Sequence, residues 1–266
     1  MLKDFKPFVP DGLLADKVVM ITGASQGIGL VAAYGFARAG AKVVMTARRG
    51  EIVEDHAGKI NAAGGTALGL AMDVTNEESV KSGVDKLMAR FGRLDGGFNN
   101  AGRDPQEHGA LHEISFAEWK AVHAVKVDGT YLCMKYEVPA MLAGGGGAIV
   151  NNGSVVSERT PSRVPAPSSS QSAITGMTRS AASAYASQGI RVNMLATGLI
   201  LTPERIQGYY KGQDERMKAF APMGRPGTAE DVAQVAAWLL SDYAAYLTGT
   251  IIPVDGGHLA GTYQPG

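Results

Sequence analysis

Residues 18–29 read Val-Val-Met-Ile-Thr-Gly-Ala-Ser-Gln-Gly-Ile-Gly, and this stretch decides the fold. Its apolar run, residues 18–21, is typical of a buried strand, and a helical pattern follows from Gly27 until Gly40 ends it. Glycines between a strand and a helix permit a tight turn and let the backbone approach a pyrophosphate, which the helix N-terminus attracts. The order of strand, glycine-rich turn and helix therefore predicts a dinucleotide site at residues 22–29.

The rest of the chain repeats this alternation of strand and helix. Further strands are predicted at 42–46, 67–72, 94–98, 148–151, 191–195 and 250–254, and further helices at 51–63, 76–91, 115–141, 172–187 and 231–240. Parallel strands need crossover connections, which the helices supply. We therefore expect an α/β fold, a doubly wound parallel sheet with helices on both faces. Functional residues should lie just after the strands.

The composition limits the classes of function. Lys and Arg number 25 and Asp and Glu number 25, so the formal net charge is zero, which is not typical of nucleic-acid binding. No run of 18 apolar residues predicts a membrane span. The start, MLKDFKPFVPDG, lacks the apolar core of a signal peptide, so we expect a cytoplasmic protein. A single cysteine, Cys133, excludes an internal disulfide framework, and the histidines show no metal-ligand spacing.

Four short motifs resemble those of the short-chain dehydrogenase/reductase family. Residues 22–29 resemble its T-G-x-x-x-G-x-G signature, Asn99-Asn100-Ala101-Gly102 its N-N-A-G, and residues 255–257 its D-G-G, while Asp73-Val74 follows the third strand where the family contacts adenine. The resemblance spans residues 14–260. It implies a single Rossmann-type domain, one doubly wound parallel sheet, over residues 1–266, with an N-terminal extension at 1–13 and a substrate lid at 203–225. It also implies a nicotinamide cofactor, a small-molecule substrate and a homotetramer.

The end of the second predicted strand bears on the choice of cofactor. An acidic residue there would bind the ribose 2′-hydroxyl of NAD, but the chain reads Thr46-Ala47-Arg48-Arg49. Guanidinium groups match the geometry of a phosphate, so NADP(H) is favoured over NAD(H). The alternative is that both arginines are solvated charges at a helix entry.

The resemblance, together with the two arginines, implies a set of cofactor-binding residues. They are Gly23, Ser25, Gln26, Gly27, Ile28, Gly29, Arg48, Arg49, Asp73, Val74, Asn100, Ala101, Gly102, Gln171, Gly198, Ile200 and Thr202.

The catalytic positions that the resemblance implies are mostly replaced. The family uses an Asn-Ser-Tyr-Lys set, and of these only the serine is present, as Ser154. The spacing from Ser154 and the register of residues 172–179 both place Pro167 at the tyrosine position and Gln171 at the lysine position. Lys126 stands at the asparagine position. Proline has no titratable group, so the usual proton donor is absent.

The replacements leave roles for three residues to be assigned. Gln171 can hydrogen-bond a ribose hydroxyl without supplying a charge, and Ser154 can contact the substrate. Lys126 can donate a proton or form an imine with a carbonyl substrate, or its ammonium can simply bond to backbone carbonyls. A phenol from Tyr209 or Tyr210 in the lid is a further candidate for the missing proton donor.

Among residues 161–170, three prolines argue against a helix, and one serine of 168–170 is expected to cap the next helix.

The favoured function is an NADP(H)-dependent oxidoreductase with a non-standard active site. Its substrate would be a small cyclic or aromatic carbonyl or alcohol, or another electrophilic acceptor, because Met217, Phe220 and Met223 suggest an apolar pocket. A non-redox lyase or isomerase that uses Lys126 and Ser154 is one alternative. A non-catalytic subunit, in a mixed oligomer with an active relative or as a cofactor sensor, is another.

Overall fold

The strands and helices alternate along the chain as the sequence predicts, in a computed structural model that describes residues 9–203 and 220–261. The strands are Val18–Thr22 (β1), Lys42–Ala47 (β2), Thr66–Ala71 (β3), Gly96–Asn99 (β4), Gly147–Ser154 (β5), Ile190–Thr197 (β6), Ile200–Leu201 (β7), Gly227–Thr228 (β8) and Ile251–Val254 (β9). The helices are Gly27–Arg38 (α1), Gly50–Ala62 (α2), Glu77–Phe91 (α3), Phe116–His123 (α4), Gly129–Ala143 (α5), Pro165–Tyr185 (α6) and Ala229–Leu240 (α7).

Seven of these strands form one parallel sheet in the order β3-β2-β1-β4-β5-β6-β9. β1 pairs on one side with β2, with Val18 opposite Lys42, and on the other with β4, with Val19 opposite Gly96. The strand order therefore reverses between β1 and β4. In an open α/β sheet, ligands bind at such a switch point, in the crevice outside the carboxyl ends of the strands.

Helices cover both faces of the sheet, as expected for a doubly wound fold. All five residues of β1 are buried, and the first four alternate between two apolar clusters. Val19 and Ile21 pack in the cluster that contains residues of α1, α2 and α7, whereas Val18 and Met20 pack in the cluster that contains residues of α3, α5 and α6. Burial on two faces explains why β1 is a continuous apolar run and not an alternating pattern.

The predicted helix at 115–141 is interrupted. Ser115 caps α4 by accepting a hydrogen bond from Glu118 N at 3.1 Å, as predicted, but residues 124–128 form a π-helical turn before α5 begins. Single π turns inside helices are frequent at functional sites. Lys126 lies in the middle of this turn.

The predicted start of the next helix is wrong. α6 begins at Pro165, not near residue 172, and Pro165 and Pro167 lie in its first turn. Backbone N–H groups of a first turn have no partner within the helix, so proline loses nothing there. The predicted serine cap is also wrong, because Ser168, Ser169 and Ser170 lie inside α6 and donate to carbonyls three or four residues earlier.

The short pair β7 and β8, which the sequence does not predict, flanks the predicted lid. Most of that lid, including Tyr209, Tyr210 and Met217, lies outside the described residues. No helix within residues 9–203 and 220–261 is both long and apolar enough to cross a membrane.

Candidate active site

The glycine-rich turn after β1 has the geometry that a pyrophosphate site requires. Gly23 and Gly27 have φ of 67° and 57°, which side-chain-bearing residues rarely adopt. A Cβ at Gly29 would overlap the carbonyl oxygen of Gly23 and lie 2.6 Å from Asn100 Nδ2. The turn therefore brings bare backbone to the N-terminus of α1, where Ser25, Gln26 and Ile28 also lie, and the predicted dinucleotide site fits this structure.

A hydrogen-bonded network joins that turn to the ends of β4 and β5. Thr22 Oγ1 accepts from the backbone N–H groups of Asn100 and Ala101, both at 3.0 Å. Asn100 Nδ2 donates to the carbonyl oxygen of Thr22 at 3.0 Å, and its Oδ1 accepts from Asn152 Nδ2 at 2.8 Å. The three strand ends around the switch point are thus held together by side chains and not only by the sheet.

The two arginines after β2 stand beside the same turn. Arg49 Nη2 donates to Gln26 Oε1 at 2.8 Å and contacts Ser25 Oγ at 3.4 Å. Arg48 and Arg49 are both exposed. The end of β2 therefore presents guanidinium groups next to the glycine-rich turn, with no carboxylate among residues 46–49.

The other predicted cofactor residues also lie at the carboxyl edge of the sheet. Asp73 follows β3 and accepts from the N–H and hydroxyl of Thr75, and a Cβ built on Gly129 would lie 2.8 Å from Cγ2 of Val74. Gly198 follows β6, and its N–H donates to Val254 O at 3.0 Å. Ile200 and Thr202 follow it and are buried.

Three of the residues predicted for catalysis lie around the end of β5. Ser154 is its last residue, half buried, and its hydroxyl accepts weakly from Val156 N at 3.4 Å. Lys126 Nζ donates to the carbonyl oxygen of Asn152 at 3.4 Å. Gln171 is 5% exposed, and its Oε1 has no hydrogen-bond partner in the described part of the chain.

Pro167 lies in the first turn of α6, four residues before Gln171. Residues four apart share a face of a helix, so position 167 lies above Gln171 on the same side of α6. Pro167, which the sequence predicts at the tyrosine position, therefore shares a helix face with Gln171 and has no acidic group.

A buried carboxylate beneath the site was not predicted from the sequence. Glu137 on α5 is fully buried, and its Oε2 accepts from Asn99 Nδ2 at 2.9 Å, while Asn99 also donates to Asn151 Oδ1 at 3.1 Å. Burial raises the pKa of Glu137 to about 7, although the Asn99 hydrogen bond opposes the shift. A glutamate within the apolar run of α5 was the available signal.

His123, at the end of α4, is a helix-packing residue. Its ring stacks on Trp119 with centroids 4.3 Å apart, Nδ1 lies 2.8 Å from Trp119 O, and Nε2 lies 3.1 Å from Ser169 Oγ on α6. The imidazole therefore bridges α4 and α6. No group of three or more His, Cys, Asp or Glu residues that could hold a metal ion occurs in the described residues.

Comparison with known proteins identifies the family. A family model described as enoyl-(acyl carrier protein) reductase matches residues 23–258. The chain is 38% identical over 250 residues to cis-4-hydroxycyclohexanecarboxylate dehydrogenase of Sinomonas cyclohexanicum, covering 92% of this chain and 98% of that protein. The protein belongs to the short-chain dehydrogenase/reductase family.

Two further relatives agree with this assignment. Cyclohexanol dehydrogenase of Acinetobacter sp. strain SE19 is 37% identical, over 91% of this chain and 95% of its own length. A solved structure from Sinorhizobium meliloti 1021, assigned as a short-chain alcohol dehydrogenase, superposes with a TM-score of 0.88 at 34% identity, covering 95% of this chain and 100% of that one. The protein is thus an enzyme of the short-chain dehydrogenase/reductase type, a class that uses nicotinamide cofactors.

Proposed function

We propose that this short-chain dehydrogenase/reductase is an NADP(H)-dependent oxidoreductase of small cyclic alcohols and ketones, with a non-standard active site. The observation that supports the cofactor choice is the placement of Arg49, whose guanidinium bonds Gln26 and Ser25 beside the exposed Arg48. A 2′-phosphate at this point would meet two cations, whereas a ribose 2′-hydroxyl would find no carboxylate to bind it.

The substrate class is inferred from two relatives and from the site. The two named dehydrogenases act on alcohols of a cyclohexane ring. When bound, the nicotinamide would accept hydride from such an alcohol, or donate it to the ketone. The hydroxyl of Ser154, at the end of β5, would hold the reacting oxygen. Because Pro167 supplies no acid, carbonyls that are already electrophilic should react fastest.

The cofactor proposal is tested by calorimetric titration of the protein with NADPH and with NADH. We expect tighter binding of NADPH, and we expect Arg48→Ala to weaken NADPH binding by about 10-fold while leaving NADH unchanged. Arg90→Ala is the control, since this exposed arginine lies at the end of α3, away from the turn. Equal affinity for the two nucleotides would contradict the NADP(H) assignment.

The substrate proposal is tested with the purified protein, NADP⁺ and a panel of alcohols. Cyclohexanol and cis-4-hydroxycyclohexanecarboxylate should be oxidised faster than linear alcohols of equal carbon number. A preference for linear alcohols, or no reduction of any cyclic ketone, quinone or enone by NADPH, would contradict the proposed chemistry.

We also propose that the enzyme is a homotetramer. Large apolar side chains are exposed on two neighbouring helices, with Phe116 of α4 at 72% and Tyr131 of α5 at 51%. Exposed aromatic residues of this kind are typical of contact surfaces between subunits. Light scattering on the wild type should give the mass of four chains, and a monomer would contradict the proposal.

A further inference from the structure

Two side chains from different helices meet one peptide unit at the end of β5. Lys126 Nζ, on the π-helical turn, donates to the carbonyl oxygen of Asn152. Gln171, on α6, approaches the next residue, because a Cβ built on Gly153 would lie 3.2 Å from Gln171 Oε1. The ammonium and the amide therefore both lie against the Asn152–Gly153 peptide.

The ammonium of Lys126 also reaches the end of β4. A Cβ built on Gly102 would lie 2.7 Å from Lys126 Nζ, so the amine sits directly over the glycine that ends the Asn99–Gly102 motif. Nζ thus lies at the carboxyl ends of β4 and β5, beside the switch point between β1 and β4, where a dinucleotide would bind. The wide turn at residues 124–128 is the element that places it there.

Gln171 supplies a hydrogen-bond acceptor, whereas Lys126 supplies donors. Its Oε1 is a buried acceptor without a partner in the described residues, and leaving such an atom unpaired is costly. A ligand that donates a hydrogen bond at this point would satisfy it. An amide oxygen can accept a hydrogen bond from a hydroxyl group. An ammonium group has donors only, and it can donate a hydrogen bond to a hydroxyl oxygen. A vicinal diol has both a hydroxyl to donate and a hydroxyl oxygen to accept.

We propose that Lys126 and Gln171 together bind the ribose diol on the nicotinamide side of the cofactor, so that the positive charge comes from the π-helical turn and not from α6. Lys126 is the charged donor and Gln171 is the neutral acceptor. This inference rests on the proposed function, because it requires that a nicotinamide nucleotide binds at the switch point.

The test compares two ligands by calorimetry. NADPH has both riboses, whereas 2′-phosphoadenosine 5′-phosphate has only the ribose on the adenine side. Lys126→Met, which keeps most of the length of the side chain and removes its charge, should weaken NADPH binding by about 10- to 100-fold and leave binding of the fragment unchanged. Lys120→Met is the control, since Lys120 is exposed on α4 and should leave both affinities unchanged.

An exchange of the two side chains makes the test more specific. In the double variant Lys126→Gln/Gln171→Lys, the charge returns to α6, and NADPH affinity should recover to within about threefold of the wild type. Gln171→Leu alone should weaken NADPH binding by about threefold or more, again without affecting the fragment. Thermal unfolding of every variant, with and without NADPH, shows which of them are folded.

The possible failures are distinguishable. If the wild type binds neither NADPH nor the fragment, the proposed function fails, and this inference fails with it. If the wild type binds NADPH and Lys126→Met binds it equally well, the inference is overturned while the cofactor assignment stands. If Lys126→Met does not fold, unchanged NADPH affinity in Gln171→Leu overturns the inference, and a loss confined to NADPH supports it.

Discussion

Asn152 Nδ2 donates to Asn100 Oδ1 at 2.8 Å, and Asn100 in turn donates to the carbonyl oxygen of Thr22. Two amides therefore connect the end of β5 to the turn that follows β1. The shape of the dinucleotide site depends on side chains two strands away from the glycine-rich turn.

Asn100→Ala should lower the free energy of unfolding by about 1–3 kcal/mol, because buried partners lose hydrogen bonds, and should also weaken nucleotide binding. Urea unfolding and calorimetry measure the two effects. Asn61→Ala is a matched control, since Asn61 makes two hydrogen bonds to Ala67 away from the site. It should destabilise the fold without changing nucleotide affinity, and an Asn100→Ala variant that behaves in the same way would refute the connection.

Gly29→Ala should abolish nucleotide binding and destabilise the fold, because the added methyl group would overlap the Gly23 carbonyl. Gly58→Ala is the control on an exposed face of α2, where a Cβ meets nothing within 4 Å. That variant should gain about 0.5–1 kcal/mol of stability, since alanine is the better helix former. Normal nucleotide binding by Gly29→Ala would show that the turn is not the pyrophosphate site.

Pro167→Tyr should raise the rate of ketone reduction by about 100-fold or more, because it restores a general acid on the face of α6 that carries Gln171. Pro167→Phe is the control, since it adds the ring without the hydroxyl and should leave the rate unchanged. Steady-state kinetics with NADPH and cyclohexanone measure both. An equal gain in the two variants would assign the effect to packing and not to proton transfer.

The stability of the protein should fall between pH 4.5 and pH 7 because of Glu137. Its pKa in the folded chain is about 7, above the ordinary value of 4.5, since burial disfavours the charged form. In this range the folded state holds a proton that the unfolded state has released, so a contribution fully present below pH 4.5 is lost as the pH rises through 7.

Urea unfolding of the wild type and of Glu137→Gln across this range checks the prediction. The difference in free energy between them should change by about 3 kcal/mol in favour of the glutamine variant as the pH rises, which corresponds to the shift in pKa. A constant difference between the two proteins would show that Glu137 titrates near its ordinary pKa.

The sequence predicts the sheet well because burial on two faces leaves continuous apolar runs such as Val18–Ile21. Prediction from the sequence fails where local preferences for a helix and against it conflict. Prolines at 165 and 167 argue against a helix, yet the first turn tolerates them because its N–H groups need no helical partner. The π-helical turn at 124–128 has no local signal in the sequence, and in the fold it contacts α6 as well as the two helices that it joins.

The residues of the site also fall into those that the sequence predicts and those that it does not. The glycine-rich turn and the arginines at 48 and 49 are adjacent to strand ends in the sequence, so topology alone brings them together. The meeting of Lys126 and Gln171 at one peptide could not be predicted, because it depends on the register of two helices against β5. Glu137 was missed for a similar reason, since a single glutamate does not reveal which face of α5 it occupies.

The reversal of strand order between β1 and β4 also constrains how the chain reaches its native state. A nascent polypeptide that has emerged only as far as β3 can pair β1 with β2, but the opposite edge of β1 must wait for β4. Until then an apolar strand edge is open to solvent and to other chains, a known hazard for aggregation. The edge of β1 that pairs with β4 therefore stays unpaired throughout the synthesis of residues 23–95.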